Sequence, residues 1–235
     1  MHLRAIYDSL ETGFGESLTR LPTRQRQAAE RYKLAPFASD PVPHLTRGTT
    51  GGLYVLSMKP FAVRGRTYPF GWEERERTPG LHRWYDGDKA GGNFVREADD
   101  LLRRVLAATG NETPPREVFN TYTTFWRAED SEQLKAFGLT TIDCADYHQR
   151  FLERLQPRLV LCIGNGPAPS AFALMARLHG NAEPNVERAA PRVLVKHFHA
   201  RAGRLVIGVP HLSYVRAATF WPVVERLLAP EQPAE

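Results

Sequence analysis

Polar side chains capable of chemistry follow the apolar runs that the sequence predicts as buried strands. Ser57-Met58-Lys59-Pro60 follows one run, and Pro210-His211-Leu212-Ser213 follows another. Asn120-Thr121 and Gly164-Asn165-Gly166 hold the same position at two further strands. Because the carboxyl ends of parallel strands meet at one edge of a sheet, where ligands bind in such folds, we expect these groups to gather there. An amide, an imidazole and an amine at one edge suit recognition of a ligand by hydrogen bonds.

The common motifs for nucleotide cofactors and metals do not match these positions. Gly164-Asn165-Gly166 lacks the third glycine of a dinucleotide-binding fingerprint, and the first strand is not followed by the lysine and serine of a P-loop. His197 and His199 alternate along one strand, but no third ligand stands at a useful spacing, so we interpret them as structural histidines. The sequence therefore predicts neither a metal nor an organic cofactor.

The elements that must position these residues are short buried strands alternating with amphipathic helices. Strands are predicted at 53–56, 117–122, 158–164, 192–196 and 204–209. Helices are predicted at 93–110, at 167–178 and at 223–228. A further helix, which ends before Pro157, is predicted from Phe151, Leu152 and Leu155 along one side. This order predicts an α/β fold in which helices cover both faces of a mainly parallel sheet.

Composition and charge narrow the class of protein further. The 235 residues carry 31 Lys and Arg against 26 Asp and Glu, a net charge of +5 that favours phosphate-bearing partners and makes nucleic acid the leading expectation. Two cysteines are too few for a disulfide scaffold, and no run approaches the roughly 18 apolar residues of a membrane helix. We expect a cytoplasmic monomer with a single domain, made of a helical preamble (residues 1–50) and a core (residues 51–228).

Taken in order, the strand-end motifs resemble those of the uracil-DNA glycosylase superfamily, and most of all its single-strand-selective monofunctional and mismatch-specific branches. Over residues 51–228, Leu56-Ser57-Met58-Lys59-Pro60 occupies the place of the turn that holds the hydrolytic water. Tyr68-Pro69-Phe70-Gly71 is similar to the segment that stacks an aromatic ring on the extruded base. Asn120 matches the base-reading asparagine, and the stretch His211 to Arg216 is similar to the closing His-Pro-Ser motif with its wedge residues.

The resemblance implies a fold, a reaction and a set of roles. The fold is a three-layer α/β/α arrangement around a central, mainly parallel four-stranded sheet. The reaction is removal of uracil or a related modified base from DNA, after the base is flipped into a pocket, with no cofactor. By the resemblance His211 and Lys59 are the catalytic positions. The implied substrate contacts are Met58, Phe70, Asn120 and Ser213, and the implied DNA contacts are Arg64, Arg66, Tyr214 and Arg216.

The residue types fit the chemistry of base removal. An asparagine amide presents an acceptor beside a donor, which complements N3–H and O4 of uracil but not the donor pattern of cytosine. Cleavage of the glycosidic bond leaves negative charge on the departing base, so a donor from His211 at the base O2 would stabilise it. Phe70 would stack on the flipped base. Arginines such as Arg64 and Arg66, in the long polar loop predicted between residues 57 and 92, would contact phosphates.

Lys59 departs from the family pattern, because a carboxylate or carboxamide is expected there to orient the attacking water. Three explanations remain open. Acidic residues of the long loop take over the water, a lysine with a depressed pKa acts as a Schiff-base nucleophile, or catalysis is lost while DNA binding is kept. The candidate loop acids are Glu73, Glu74, Asp86 and Asp88.

Three hypotheses outside uracil excision also stay open. One is a non-catalytic nucleic-acid-binding member of the same fold, and another is excision of a different base, for example a modified base of phage DNA. A third reading, an unrelated small-molecule α/β enzyme, would bind no DNA at physiological salt. Both DNA-binding readings predict an affinity that falls with salt.

Overall fold

The computed structural model describes a core built on one sheet. It describes residues 22, 23, 26, 52–57, 92–115, 118–126, 128, 130–136 and 144–229. The predicted helical preamble (residues 1–50) lies almost entirely outside these ranges. The long loop after the first strand, with Met58, Lys59, Arg64, Arg66 and Phe70, lies wholly outside them.

The described elements alternate between strands and helices along the chain. The strands are β1 (Leu53–Ser57), β2 (Phe119–Tyr122), β3 (Leu159–Ile163), β4 (Asn185–Ala190), β5 (Val193–Ala200) and β6 (Arg204–Val209). The helices are α1 (Gly92–Ala108), α2 (Ser131–Ala136), α3 (Ala145–Leu155), α4 (Ala171–Leu178) and α5 (Ala217–Leu228), with a 3-10 turn at Arg201–Gly203. The α/β class predicted from the sequence is confirmed.

The sheet has six strands in the order β2-β1-β3-β6-β5-β4, so the predicted count of four is wrong. The first four of these strands are parallel, whereas β5 and β4 are antiparallel and extend the sheet as a hairpin. The sequence does not reveal β4, because Asn185–Ala190 is mostly exposed or half-buried and lacks an apolar alternation. The sheet is therefore mixed.

Helices pack on both faces of the sheet because successive side chains of each parallel strand point alternately into two apolar cores. Tyr54 and Leu56 of β1 belong to a core with α3 and α4, whereas Leu53 and Val55 belong to a core with α1 and α5. In α1 the predicted spacing is confirmed. Ala98, Leu101, Leu102, Val105 and Leu106 are all buried. Gly110, with φ +62°, adopts the left-handed conformation that follows a helix end.

Two helix starts differ from the prediction for local reasons. α4 begins at Ala171 rather than at Pro167, because the Ser170 hydroxyl accepts a hydrogen bond from the Ala173 N–H (3.1 Å) and so caps the helix. α5 begins at Ala217, six residues before the predicted start, and contains Pro222. Since proline usually ends a helical pattern, Pro222 hides the first half of α5 from the sequence.

Gly208 of β6 lies where a side chain has no room. A Cβ atom built there would stand 2.7 Å from Cγ and 2.9 Å from Cβ of Phe172, which is buried and packs edge-on against Phe198. We expect Gly208→Ala to lower the free energy of unfolding by about 1–3 kcal/mol, because the Phe172 ring must move within a packed core.

Chemical denaturation measures this effect, and Gly52→Ala is the matched control, because nothing lies within 4 Å of a Cβ at that position. Adding Phe172→Leu to Gly208→Ala makes room and is expected to recover part of the loss. A Gly208→Ala protein as stable as the Gly52→Ala protein would contradict the packing argument.

Candidate functional site

The carboxyl ends of the four parallel strands meet at one edge, as the sequence predicts. Two backbone contacts join neighbouring strand ends there. The Thr123 N–H donates to the Ser57 carbonyl (2.7 Å), and the Gly164 N–H donates to the Val209 carbonyl (2.9 Å). Loops that leave β1, β2, β3 and β6 therefore begin close to one another. We call this the carboxyl edge of the sheet.

His211 lies at the carboxyl edge, two residues beyond the end of β6. Its half-buried ring packs against Phe94 of α1 (centroids 5.1 Å apart) and against Tyr214 (5.6 Å). The backbone N–H of Ser213 donates to His211 Nδ1 (3.3 Å). Since Nδ1 accepts this bond, the ring proton of the neutral imidazole resides on Nε2. Burial lowers the pKa of His211, which favours this neutral form.

The segment after His211 combines an anchored residue with exposed ones. Leu212 is buried in the core between the sheet, α1 and α5, whereas Ser213 and Arg216 are exposed and the Tyr214 side chain is 88 % exposed. Tyr214 buries little area in the fold, so its ring is available for contact with a ligand. The burial of Leu212 fixes the segment by packing.

An open pocket of about 270 Å³ lies beside this segment. Its lining residues are Asn93, Arg96 and Glu97 of α1 and residues 212–216. Glu97 has a structural role, because its carboxylate accepts a hydrogen bond from the N–H of Ala217 (2.8 Å) at the start of α5. The charged side chains of the pocket are thus two cations, Arg96 and Arg216, against the one carboxylate of Glu97, a balance that favours an anionic ligand over a cationic one.

The prediction that Asn120 ends its strand is wrong. Asn120 is the second residue of β2, fully buried, and stands opposite Val55. The alternation of β2 places it on the same face of the sheet as His211, the face covered by α1 and α5. Three strand spacings separate β2 from β6, about 14 Å at the usual inter-strand distance. The structure thus brings Asn120 and His211 to one face but not into contact.

A buried polar network was not predicted and lies on the opposite face of the sheet. The Tyr54 hydroxyl donates to His148 Nδ1 (2.7 Å), and His148 Nε2–H donates to the Thr123 carbonyl (3.2 Å). Burial lowers the pKa of His148 to about 4. The signal in the sequence is a lone histidine among the apolar positions of α3, which does not reveal its partners. Both ring nitrogens are occupied, so this histidine is structural.

Other predicted positions have structural roles or lie outside the described ranges. Asn165 donates from Nδ2 to the carbonyls of Leu194 (2.6 Å) and Gly208 (3.1 Å), so it ties the loop after β3 to two strands. His197 contacts Glu187 (3.4 Å). Within the described ranges, no group of three or more His, Cys, Asp or Glu is arranged to hold a metal ion. The proposed roles of Met58, Lys59, Arg64, Arg66 and Phe70 stay predictions.

The sequence does not reveal that α1 contributes to the site, because its apolar spacing indicates only a helix that packs on the core. Asn93 and Arg96 stand at the polar start of α1, directly after the long loop, and this position is the only signal in the sequence for a role at the site.

None of the helices in the described ranges combines the length and the apolarity needed to cross a membrane. No protein-family model matches the chain, and no curated protein matches its sequence.

Proposed function

We propose that this protein is a DNA glycosylase of the uracil-DNA glycosylase superfamily. It flips uracil or a related modified base out of DNA and cleaves its N-glycosidic bond, leaving an abasic site. The observation that carries the proposal is the state of His211 at the carboxyl edge. Its Nδ1 accepts the Ser213 N–H, so its Nε2–H is a donor from a neutral ring.

A neutral donor suits this reaction. When the bond between C1′ of the sugar and the base nitrogen breaks, the bonding electron pair stays with the base, and negative charge develops at the base O2. Water adds to C1′ and loses a proton. A positioned N–H donor in a partly desolvated site stabilises the developing charge more than it stabilises the neutral starting base. Burial that lowers the pKa of His211 keeps the ring neutral at physiological pH.

Asn120 is the proposed reader of the base. It shares the His211 face of the sheet, and the gap of about 14 Å between their strands is one that an asparagine side chain, a pyrimidine and a histidine side chain together span. Because Asn120 is fully buried, a base reaches its amide only if the side chains that cover it move on binding. The base then stands between the amide and the imidazole.

The exposed residues after His211 are the proposed DNA contacts. Tyr214 is exposed beside the histidine, and in this proposal it fills the space that a flipped base leaves in the stack. Arg216, with Arg96 across the pocket, provides charge for the phosphates that flank that position. Ser213 contributes its hydroxyl there and its backbone N–H to His211.

The Lys59→Asn variant distinguishes the three explanations for the lysine at this position. If loop acids position the water, or if catalysis is lost, Lys59→Asn is expected to leave the rate of base release unchanged or to raise it, because an amide can accept a hydrogen bond from the water. If Lys59 is a Schiff-base nucleophile, Lys59→Asn removes strand scission in the absence of alkali. Borohydride trapping of a protein–DNA adduct in the wild-type protein distinguishes these cases directly.

A non-catalytic DNA-binding member of the same fold is the second candidate. It is favoured by the lysine at the water-holding position. The experiment that separates the two candidates uses single- and double-stranded oligonucleotides, each with one uracil or one other modified base. Strand scission after alkali reports an abasic site and supports a monofunctional glycosylase. Salt-dependent binding without scission on any substrate supports the non-catalytic candidate.

A further inference from the structure

The β4–β5 hairpin lies beside the proposed site although it is not part of the parallel sheet. β5 runs antiparallel to β6, and Lys196 stands opposite Gly208, the second-last residue of β6. The first residues of β5 and the turn before them are therefore at the carboxyl edge, next to the strand that leads to His211. The hairpin lengthens this edge by two strands, or about 10 Å.

The hairpin is held firmly in this position. Asn165 joins the loop after β3 to the backbone of β5 and β6 through its two hydrogen bonds. On one face α5 packs against both β4 and β5. Arg226 of α5 forms an ion pair with Glu187 on that face, and His197 is the other neighbour of this carboxylate. The only acidic residue of the hairpin is thus turned toward α5 and neutralised.

The other charged residues of the hairpin are basic. Arg188 and Arg192 are exposed, and Lys196 is half-buried. We name these three residues the hairpin patch. Arg188 stands opposite Leu194, so Lys196 is its diagonal neighbour at about 7–8 Å, and Arg192 is in the turn. Among the described residues none of the three has an ion-pair partner within 4.0 Å.

We propose that the hairpin patch binds the phosphate backbone of DNA where the strand leaves the carboxyl edge and passes over the β4–β5 hairpin, away from His211. This inference rests on DNA being the partner in the proposed function. Cations that follow one another from the turn down the hairpin match a ligand whose negative charges repeat along one direction, as they do in a nucleic-acid strand. The patch adds affinity and no base recognition, since phosphate contacts carry no sequence information.

The test compares two triple variants that each remove three positive charges. The first is Arg188→Gln, Arg192→Asn, Lys196→Gln, in which asparagine suits the positive φ (64°) at position 192. The control is Arg158→Gln, Arg177→Gln, Arg201→Gln, whose residues are exposed and lie at the opposite edge of the sheet. Affinity for a fluorescent single strand of about 20 nucleotides is measured from 50 to 300 mM NaCl, and thermal unfolding verifies that both variants fold.

We expect the hairpin variant to reduce the slope of log affinity against log salt by about 2, because three phosphate contacts at about 0.7 each are lost on a single strand. The control is expected to change the slope by less than about 0.5. Equal slopes for both variants would overturn the hairpin proposal while leaving DNA binding intact. A wild-type protein that binds no DNA at all would overturn the proposed function as well, so the two failures are distinguishable.

Discussion

Replacing His211 with alanine is expected to lower the rate of base release by about 10²- to 10³-fold, the usual cost of removing one donor to a developing oxyanion. DNA affinity is expected to change by less than about threefold, because Nε2–H acts on charge that is absent from the bound starting state. Single-turnover release from a labelled oligonucleotide measures the rate, and fluorescence anisotropy measures the affinity.

Two further variants make the His211 result specific. His211→Gln keeps a neutral N–H donor and is expected to retain more activity than His211→Ala. His199→Ala removes an exposed histidine of β5 and controls for the loss of an imidazole elsewhere. Because the ring also packs on Phe94, thermal unfolding must verify that His211→Ala keeps its fold. Equal rates for wild type and His211→Ala would exclude the proposed role of this residue.

The second large effect concerns stability at acid pH, through His148. Its pKa is lowered from 6.5 to about 4 by burial, so between these values the unfolded chain binds a proton that the folded chain does not. The stability contributed by the neutral ring is therefore complete above pH 6.5 and is lost as pH falls toward 4. A difference of about 2.5 pH units corresponds to about 3 kcal/mol in the free energy of unfolding.

His148→Gln isolates this effect, because glutamine still offers a donor and an acceptor but does not titrate in this range. The variant is expected to be less stable than wild type at pH 7, yet its free energy of unfolding should fall by about 3 kcal/mol less between pH 7 and pH 4. Urea denaturation across this pH range measures both values. His179, His197 and His211, whose pKa values are also lowered, are present in both proteins and cancel in the comparison. Parallel pH profiles for the two proteins would contradict the assignment.

The parts of the fold that the sequence predicted are those whose burial leaves a pattern. β1 and β3 are buried at every position and appear as apolar runs, and α1 shows its buried stripe at helical spacing. β4 has no such pattern, because it is an edge strand with exposed positions. The extent of the sheet therefore could not be predicted, and the hairpin patch followed only from the strand register.

In the candidate site too, the sequence reveals the residues that belong to a local pattern and not those that long-range packing brings there. His211, Ser213, Tyr214 and Arg216 were predicted because they follow a recognisable strand. Asn93 and Arg96 were not, because they reach the site only through the packing of α1 against α5, which the bond between Glu97 and Ala217 fixes across 120 positions of sequence. A local pattern carries no information about such a contact. The same holds for Tyr54 and His148, which meet across 94 positions.

The most direct test of the proposed function is mass-spectrometric detection of free base released from oligonucleotides that carry uracil or other modified bases. We expect the wild-type protein to release at least one base and to leave an abasic strand that breaks only after alkali. His211→Ala should release that base at least about 100-fold more slowly. The absence of any free base from every substrate, in a protein that still binds DNA tightly, would contradict the assignment as a glycosylase and establish the non-catalytic candidate.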